Sequence, residues 1–176
     1  MSGFSPFRGL IPGLAALAAV ATPTLAHAQT VPATKNATAK VVITPGLQMR
    51  KLRDLNFASL TVTAAGTAVI DPNDDVMTTT GGVTRAGGLP YAALFEAVSP
   101  VKAVVLVRVP RNPIIVTRVG GTETMIVSDW TLSGGARRTV ASQEAYSFKV
   151  GGTLAVKANQ ADGLYLGTFS VEIQYP

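Results

Sequence analysis

The chain has 176 residues, 47% of them apolar and only 14% charged, with a formal net charge of +5 and no cysteine. Its one histidine, His27, falls in the leader described next, so residues 29–176 carry neither imidazole nor thiol. That excludes Ser-His-Asp and Cys-His nucleophile systems and the usual zinc and copper sites. It also calls for a core that holds without disulfides, which a chain of this length can build.

Residues 1–28 read as a cleaved secretory signal peptide. Arg8 is the only charge among them besides the ionisable His27, an Ala/Leu-rich run follows it, and Ala26-His27-Ala28 supplies the small-x-small pattern before a cut at Gln29. The run is shorter than the roughly 20 residues a membrane-spanning helix needs. No second long apolar stretch follows, so the mature chain is expected to be one soluble domain without a transmembrane anchor. Its 14 Lys and Arg residues against 10 Asp and Glu are scattered, with only short pairs such as Arg50-Lys51 and Arg137-Arg138. A basic face interleaved with aromatics is missing, so no nucleic-acid partner is expected. Scattered charge of this kind suits strand edges and turns that resist edge-to-edge pairing.

Residues 29–40 read as a flexible extension and residues 41–176 as the folded domain. Within and beyond the extension, Val31, Ala33, Ala37, Ala39, Val41 and Ile43 share one phase of a period of two, broken by Lys35. Two readings of this segment stand side by side. It is a donor strand that adds to a neighbouring sheet edge, or residues 37–43 are the first strand of the domain itself behind a loose tail.

Further along, Val, Ile, Thr and Ala dominate, and Gly and Pro punctuate them. Strands are predicted at residues 38–43, 55–64, 67–70, 94–97, 101–109, 114–119, 125–132, 145–150, 153–157 and 165–175. Residues 91–98 suit helix or strand by composition and are read as strand. Turns are predicted at residues 71–75, Gly81-Gly82, Gly87-Gly88, Pro110 to Pro113, Gly120-Gly121, Gly134-Gly135, Gly151-Gly152 and residues 161–163. Many short strands at this spacing predict an all-β, immunoglobulin-like sandwich, with a closed barrel as the alternative.

Several features invite a site and are better explained by structure. Asp71, Asn73, Asp74 and Asp75 offer oxygen ligands, but they lack the glycine and the acidic twelfth position of a calcium loop, so an Asx turn is expected. Trp130 in its apolar run is read as a core residue, with a sugar-stacking platform as the sharper alternative. The paired glycines lack the lysine and helix of a phosphate loop. No catalytic group, metal or cofactor is assigned.

The last fourteen residues carry the most information. Tyr165, Phe169, Val171, Ile173 and Tyr175 fall on one face, with Thr168, Ser170, Glu172 and Gln174 on the other. Gly163 stands fourteenth from the end and Tyr175 is penultimate, an arrangement that resembles the C-terminal signature of chaperone–usher pilins. In that family the last strand borders a groove filled first by a chaperone and then by the N-terminal extension of the next subunit. The resemblance implies an acceptor groove bordered by Phe169, Val171, Ile173 and Tyr175 after Gly163. It implies a donor segment bearing Val31, Ala33, Ala37, Ala39, Val41 and Ile43. The partners implied are like subunits, a periplasmic chaperone and an outer-membrane usher.

A longer resemblance runs through Val150-Gly151-Gly152-Thr153-Leu154-Ala155-Val156, Asn159-Gln160 and the alternation from Gly163 to Val171. With Asp54-Leu55-Asn56-Phe57 near the domain start, these residues look like the bacterial family called domain of unknown function 4402 (DUF4402); Ala58 stands where its members tend to have glycine. That resemblance implies an exported pilin-like or immunoglobulin-like protein. The expected function is therefore a non-catalytic structural or adhesive subunit, in the periplasm and then at the cell surface. The alternative is a self-contained secreted sandwich that binds a glycan or a partner protein.

Overall fold

Residues 145–156 alternate apolar and polar side chains over a length that few strands reach, and they organise the fold. In this computed structural model, which describes residues 46–176, they form one strand that pairs with three others. The leader, the extension, the six donor residues from Val31 to Ile43 and the predicted strand at 38–43 lie outside the described residues. The strands in chain order are β1 (Gln48–Arg53), β2 (Ser59–Ile70), β3 (Met77–Gly87), β4 (Ala93–Val98), β5 (Ala103–Arg108) and β6 (Ile114–Arg118). They continue with β7 (Thr124–Leu132), β8 (Arg137–Val140), β9 (Ala145–Val156), β10 (Tyr165–Leu166) and β11 (Glu172–Gln174). All pairings are antiparallel.

β9 carries β4 and then β2 end to end along one edge, Ala93 meeting Val150 and Ile70 meeting Gly152. β7 takes the opposite edge. β1 lies outside β4, β3 outside β2, and β6 then β10 outside β7, completing an eight-stranded sheet. β11, β5 and β8 make a separate three-stranded sheet. The molecule is an all-β sandwich in which the larger sheet curls.

The segment at 91–98 is a strand from Ala93, because Ala93, Phe95 and Ala97 are buried at a period of two between β1 and β9. Other boundaries moved. The predicted strands at 55–64 and 67–70 are one strand, β2, and those at 145–150 and 153–157 are one strand, β9. Gly151-Gly152 is thus not a turn. A Cβ at Gly151 would strike the Ile70 carbonyl oxygen, so the glycine lets two backbones approach inside the sheet. Gly81-Gly82 also lies inside a strand: β3 pairs with β2 across a bulge there, with the register shifting between Val62 and Gly66 and Gly81 at φ 65°. β1, β3 and β8 were not predicted, since their Thr, Gly and Arg content gives no apolar alternation to read.

A second bulge sits in β7. The register shifts between Ser128 and Thr131, and Asp129 takes φ 47°. Met125 and Val127 face the interior before it; Trp130 and Leu132 pack on the core after it. The extra residue flips the parity, so an apolar face that changes phase in sequence stays continuous in space.

Two apolar clusters result. One, between β4 and β9 of the large sheet and β5 of the small one, holds Ala93, Phe95, Ala97, Val107, Phe148 and Val150. Phe95 and Phe148 stack with centroids 5.5 Å apart. The other holds Ala68, Val83, Met125, Val127, Leu154 and Val156, and every side chain packed on it comes from the large sheet or its connecting loops. Leu55 and Trp130 touch both.

The turn at 71–75 is built from Asx bonds: Asp71 Oδ1 accepts from the Asn73 amide at 2.8 Å and Asp74 Oδ1 from the Val76 amide at 2.9 Å. Asp75 turns inward instead. Its carboxylate accepts from Arg53 at 3.0 and 3.1 Å, from Lys149 Nζ at 2.8 Å and from the Ala92 amide at 2.9 Å. One side chain thereby ties β1, the β2–β3 turn, the entry to β4 and β9.

Candidate functional site: an apolar trough beside the C-terminal segment

Among the described residues the second cluster is incompletely covered. The small sheet lies over the first cluster only, and the curled large sheet leaves a trough of about 1470 Å³ open above the second. Met125, Val127, Leu154 and Val156 form its floor, Ile114 and Val116 of β6 one flank, and Phe57, Leu60 and Val62 the other. Residues 163–169 run along the margin on the β6 side. At one end Phe169 packs on Trp130, centroids 4.6 Å apart, and edge-on to Phe95 at 6.4 Å. Trp130 Nε1 donates to the Asn112 carbonyl at 3.3 Å, which fixes the indole at the trough wall. It is half-buried, so it is neither the enclosed core residue nor the free platform expected of it.

Predicted as one strand, residues 165–175 split into two. Tyr165 and Leu166 pair with Arg118 and Thr117 in the large sheet, whereas residues 172–174 pair with β5 in the small one. The chain changes sheets in between, as strands do at sandwich corners, and residues 167–171 join no ladder among the described residues. β10 and β11 each have one partner strand among the described residues. The alternation nevertheless holds across the crossing: Tyr165 packs on the second cluster, and Phe169, Val171 and Ile173 on the first.

Of the residues expected to border a groove, Phe169 and Gly163 do line the trough. Val171 and Ile173 pack between the two sheets. Tyr175 lies elsewhere, its hydroxyl 3.2 Å from Oγ of the buried Ser99. Gly163 takes φ 145°, which glycine alone adopts readily, and a Cβ there would come within 3.1 Å of the Arg118 side-chain stem. Arg118 is held in turn by Glu123 at 2.7 and 3.1 Å. That hydrogen-bonded pairing raises the guanidinium pKa and lowers that of the carboxyl. Tyr165 is locked by donating to the Ala161 carbonyl and accepting from Gln160 Nε2, both at 2.7 Å.

The trough residues that sequence reading missed are the four of the floor and, on the flanks, Phe57, Leu60, Val62, Ile114 and Val116. Their signal was present in β6, where Ile114, Ile115 and Val116 are apolar in both phases. Ile115 points outward and is 63% exposed, opposite the exposed Ile126 of β7. A strand apolar on both faces reads like one covered on both.

These features define an all-β sandwich whose core is left open along its C-terminal segment. Residues 47–175, from β1 to β11, match the family model described as Domain of unknown function (DUF4402), and the chain belongs to that family. No curated protein and no solved structure matches the chain.

Proposed function

We propose that this protein is an exported, non-catalytic structural or adhesive subunit, pilin-like in its assembly, joined to like subunits by strand addition. The observation that carries the reading is the backbone of residues 167–169, which joins no ladder among the described residues, beside an apolar trough that those residues leave open. An unpaired margin is a template for another strand, and an apolar floor beneath it rewards alternate apolar side chains. Residues 31–43 supply such an alternation. The leader at 1–28 directs the chain to the periplasm. A trough of this character favours aggregation while empty, which is the reason for a periplasmic chaperone to occupy it before an outer-membrane usher passes the subunit to the surface.

The test is size exclusion of the mature chain with and without residues 29–40. The complete mature chain forms species larger than a monomer, and the shortened chain does not until a peptide of residues 29–45 is added. Two stable monomers, neither changed by the peptide, would refute the reading. One observation favours a secreted glycan- or protein-binding sandwich instead: Phe57, Tyr91, Trp130, Tyr165 and Phe169 all line the trough. In that case soluble oligosaccharides, not the peptide, perturb Trp130.

A further inference from the structure

We infer that two copies of this chain pair back to back through the outward face of the large sheet, behind the trough, and that strand-added assemblies lie side by side through this contact. The assemblies rest on the reading above; the pairing is made by side chains that point away from the trough floor.

Ladder register places those side chains. Ile114, Val116 and Tyr165 pack on the open cluster, so Ile115, Leu164 and Leu166 point the other way. Ile115 pairs with Ile126 of β7, Ile126 with Ala155 of β9, Ala155 with Thr67 of β2 and Thr67 with Thr80 of β3, one row across five strands. Beside that row Leu166 pairs with Thr117, and the Val119 amide donates to the Leu164 carbonyl at 2.8 Å. Ile115, Val119, Ile126, Leu164 and Leu166 are between 43% and 63% exposed and form one patch over β6, β7 and β10.

An antiparallel sheet with one solvated face is polar on that face. Behind the covered cluster this sheet conforms: Arg50 is ion-paired with Glu96, and Lys149 lies on the same side, out of phase with the buried Phe95, Phe148 and Val150. Behind the trough the row from Ile115 to Thr80 and the five patch residues carry no charge. An apolar face left bare by the described residues marks an interaction site. One without charge is complementary to itself, because no like charges meet when two copies turn the same surface together. It also gives an anionic lipid surface nothing to hold.

Five side chains exposed to this degree make an apolar patch on the order of 500 Å², near the top of what a monomer leaves bare. Two such patches bury about 1,000 Å² between them, the lower bound for a specific interface. Separate copies therefore part at the dilution of a column. The patch lies on strands that also floor and flank the trough, so an assembly joined along the trough repeats it at every subunit. Two assemblies side by side make many such contacts at once, and contacts too weak singly then hold together.

The chain lacking residues 29–40 keeps every strand of the described fold and tests the pairing apart from strand addition. Sedimentation equilibrium over a rising concentration series is expected to show monomer passing to dimer. Ile115→Lys and Ile115→Glu each stay monomeric throughout, at an unchanged thermal midpoint. An equal mixture of the two dimerises, because position 115 of both copies lies in the contact. In electron micrographs of the complete mature chain, unmodified assemblies lie in pairs and Ile115→Lys assemblies lie singly. A shortened chain that is monomeric across the series overturns the inference, as does a dimer indifferent to Ile115→Lys or a mixture that fails to pair. Dimers of the shortened chain alongside single assemblies of the complete one also overturn it, since the chain's own residues 29–40 then cover the face. If the complete chain never assembles while the shortened one still pairs through Ile115, the assembly reading fails alone and the back-to-back contact stands.

Discussion

Ala58 holds φ 59°, a left-handed conformation that costs a residue with a Cβ about 1 kcal/mol or more. Asn56 Oδ1 accepts from its amide at 2.9 Å and fixes the turn. The family resemblance places glycine at this position, and the backbone supplies the reason. Ala58→Gly is expected to stabilise the domain by about 1 kcal/mol, read as a raised thermal midpoint; an unchanged or lowered midpoint would contradict the strain. Asp75 is a second residue whose role depends on its surroundings. Burial alone would raise its pKa, but hydrogen bonds from Lys149, the Ala92 amide and Arg53 outweigh that and hold the carboxyl below its ordinary value. A folded-state pKa below the unfolded one gives stability that is fully present above about pH 4 and lost as pH falls through the folded value. Asp75→Asn keeps a side chain that tolerates the φ of 63° there. It is expected to cost about 1–2 kcal/mol at neutral pH, the site being about a quarter exposed. It should also flatten the loss of stability below pH 4, measured by denaturant melts across pH. The sequence marked Asp75 as part of a turn, which it is, but not as a tie between four segments, because Arg53 and Lys149 are 22 and 74 residues away.

At the scale of elements, legibility followed apolar patterning. β4 and β9 were visible through apolar residues at alternate positions and β5, β6 and β7 through short continuous runs of Val, Ile, Leu or Met between turn signals, and β1, β3 and β8 were not, because Thr, Gly, Lys and Arg on sheet margins carry no such signal. Glycine pairs misled in a specific way. At Gly120-Gly121 and Gly134-Gly135 they lie between strands, as expected, while at Gly81-Gly82 and Gly151-Gly152 they sit inside strands where backbones crowd or bulge. The distinction depends on what lies across the sheet, which no local window contains. Gly151→Ala is accordingly expected to destabilise the domain by about 2–3 kcal/mol, by pushing the added methyl into the Ile70 carbonyl. Gly120→Ala meets nothing within 4 Å and costs only the strain of its φ of 76°. Equal thermal shifts for the two variants would contradict this assignment.

For the whole molecule, the division of the core into a half covered and a half left uncovered by the described residues is the feature on which the proposed function rests. The alternation after Gly163 was legible as a half-buried strand. That its apolar side chains divide between two clusters was not, because the crossing from β6 to β5 is set by long-range pairing. The most direct test uses Trp130, the only tryptophan in the chain, which lines the trough against Phe169. A peptide of residues 29–45 is titrated into the domain spanning residues 46–176, and tryptophan emission is followed. Occupation of the trough predicts a saturable blue shift, abolished by aspartate at position 43 of the peptide. Emission that stays unchanged through peptide excess, with the domain folded, would contradict an acceptor role for the trough.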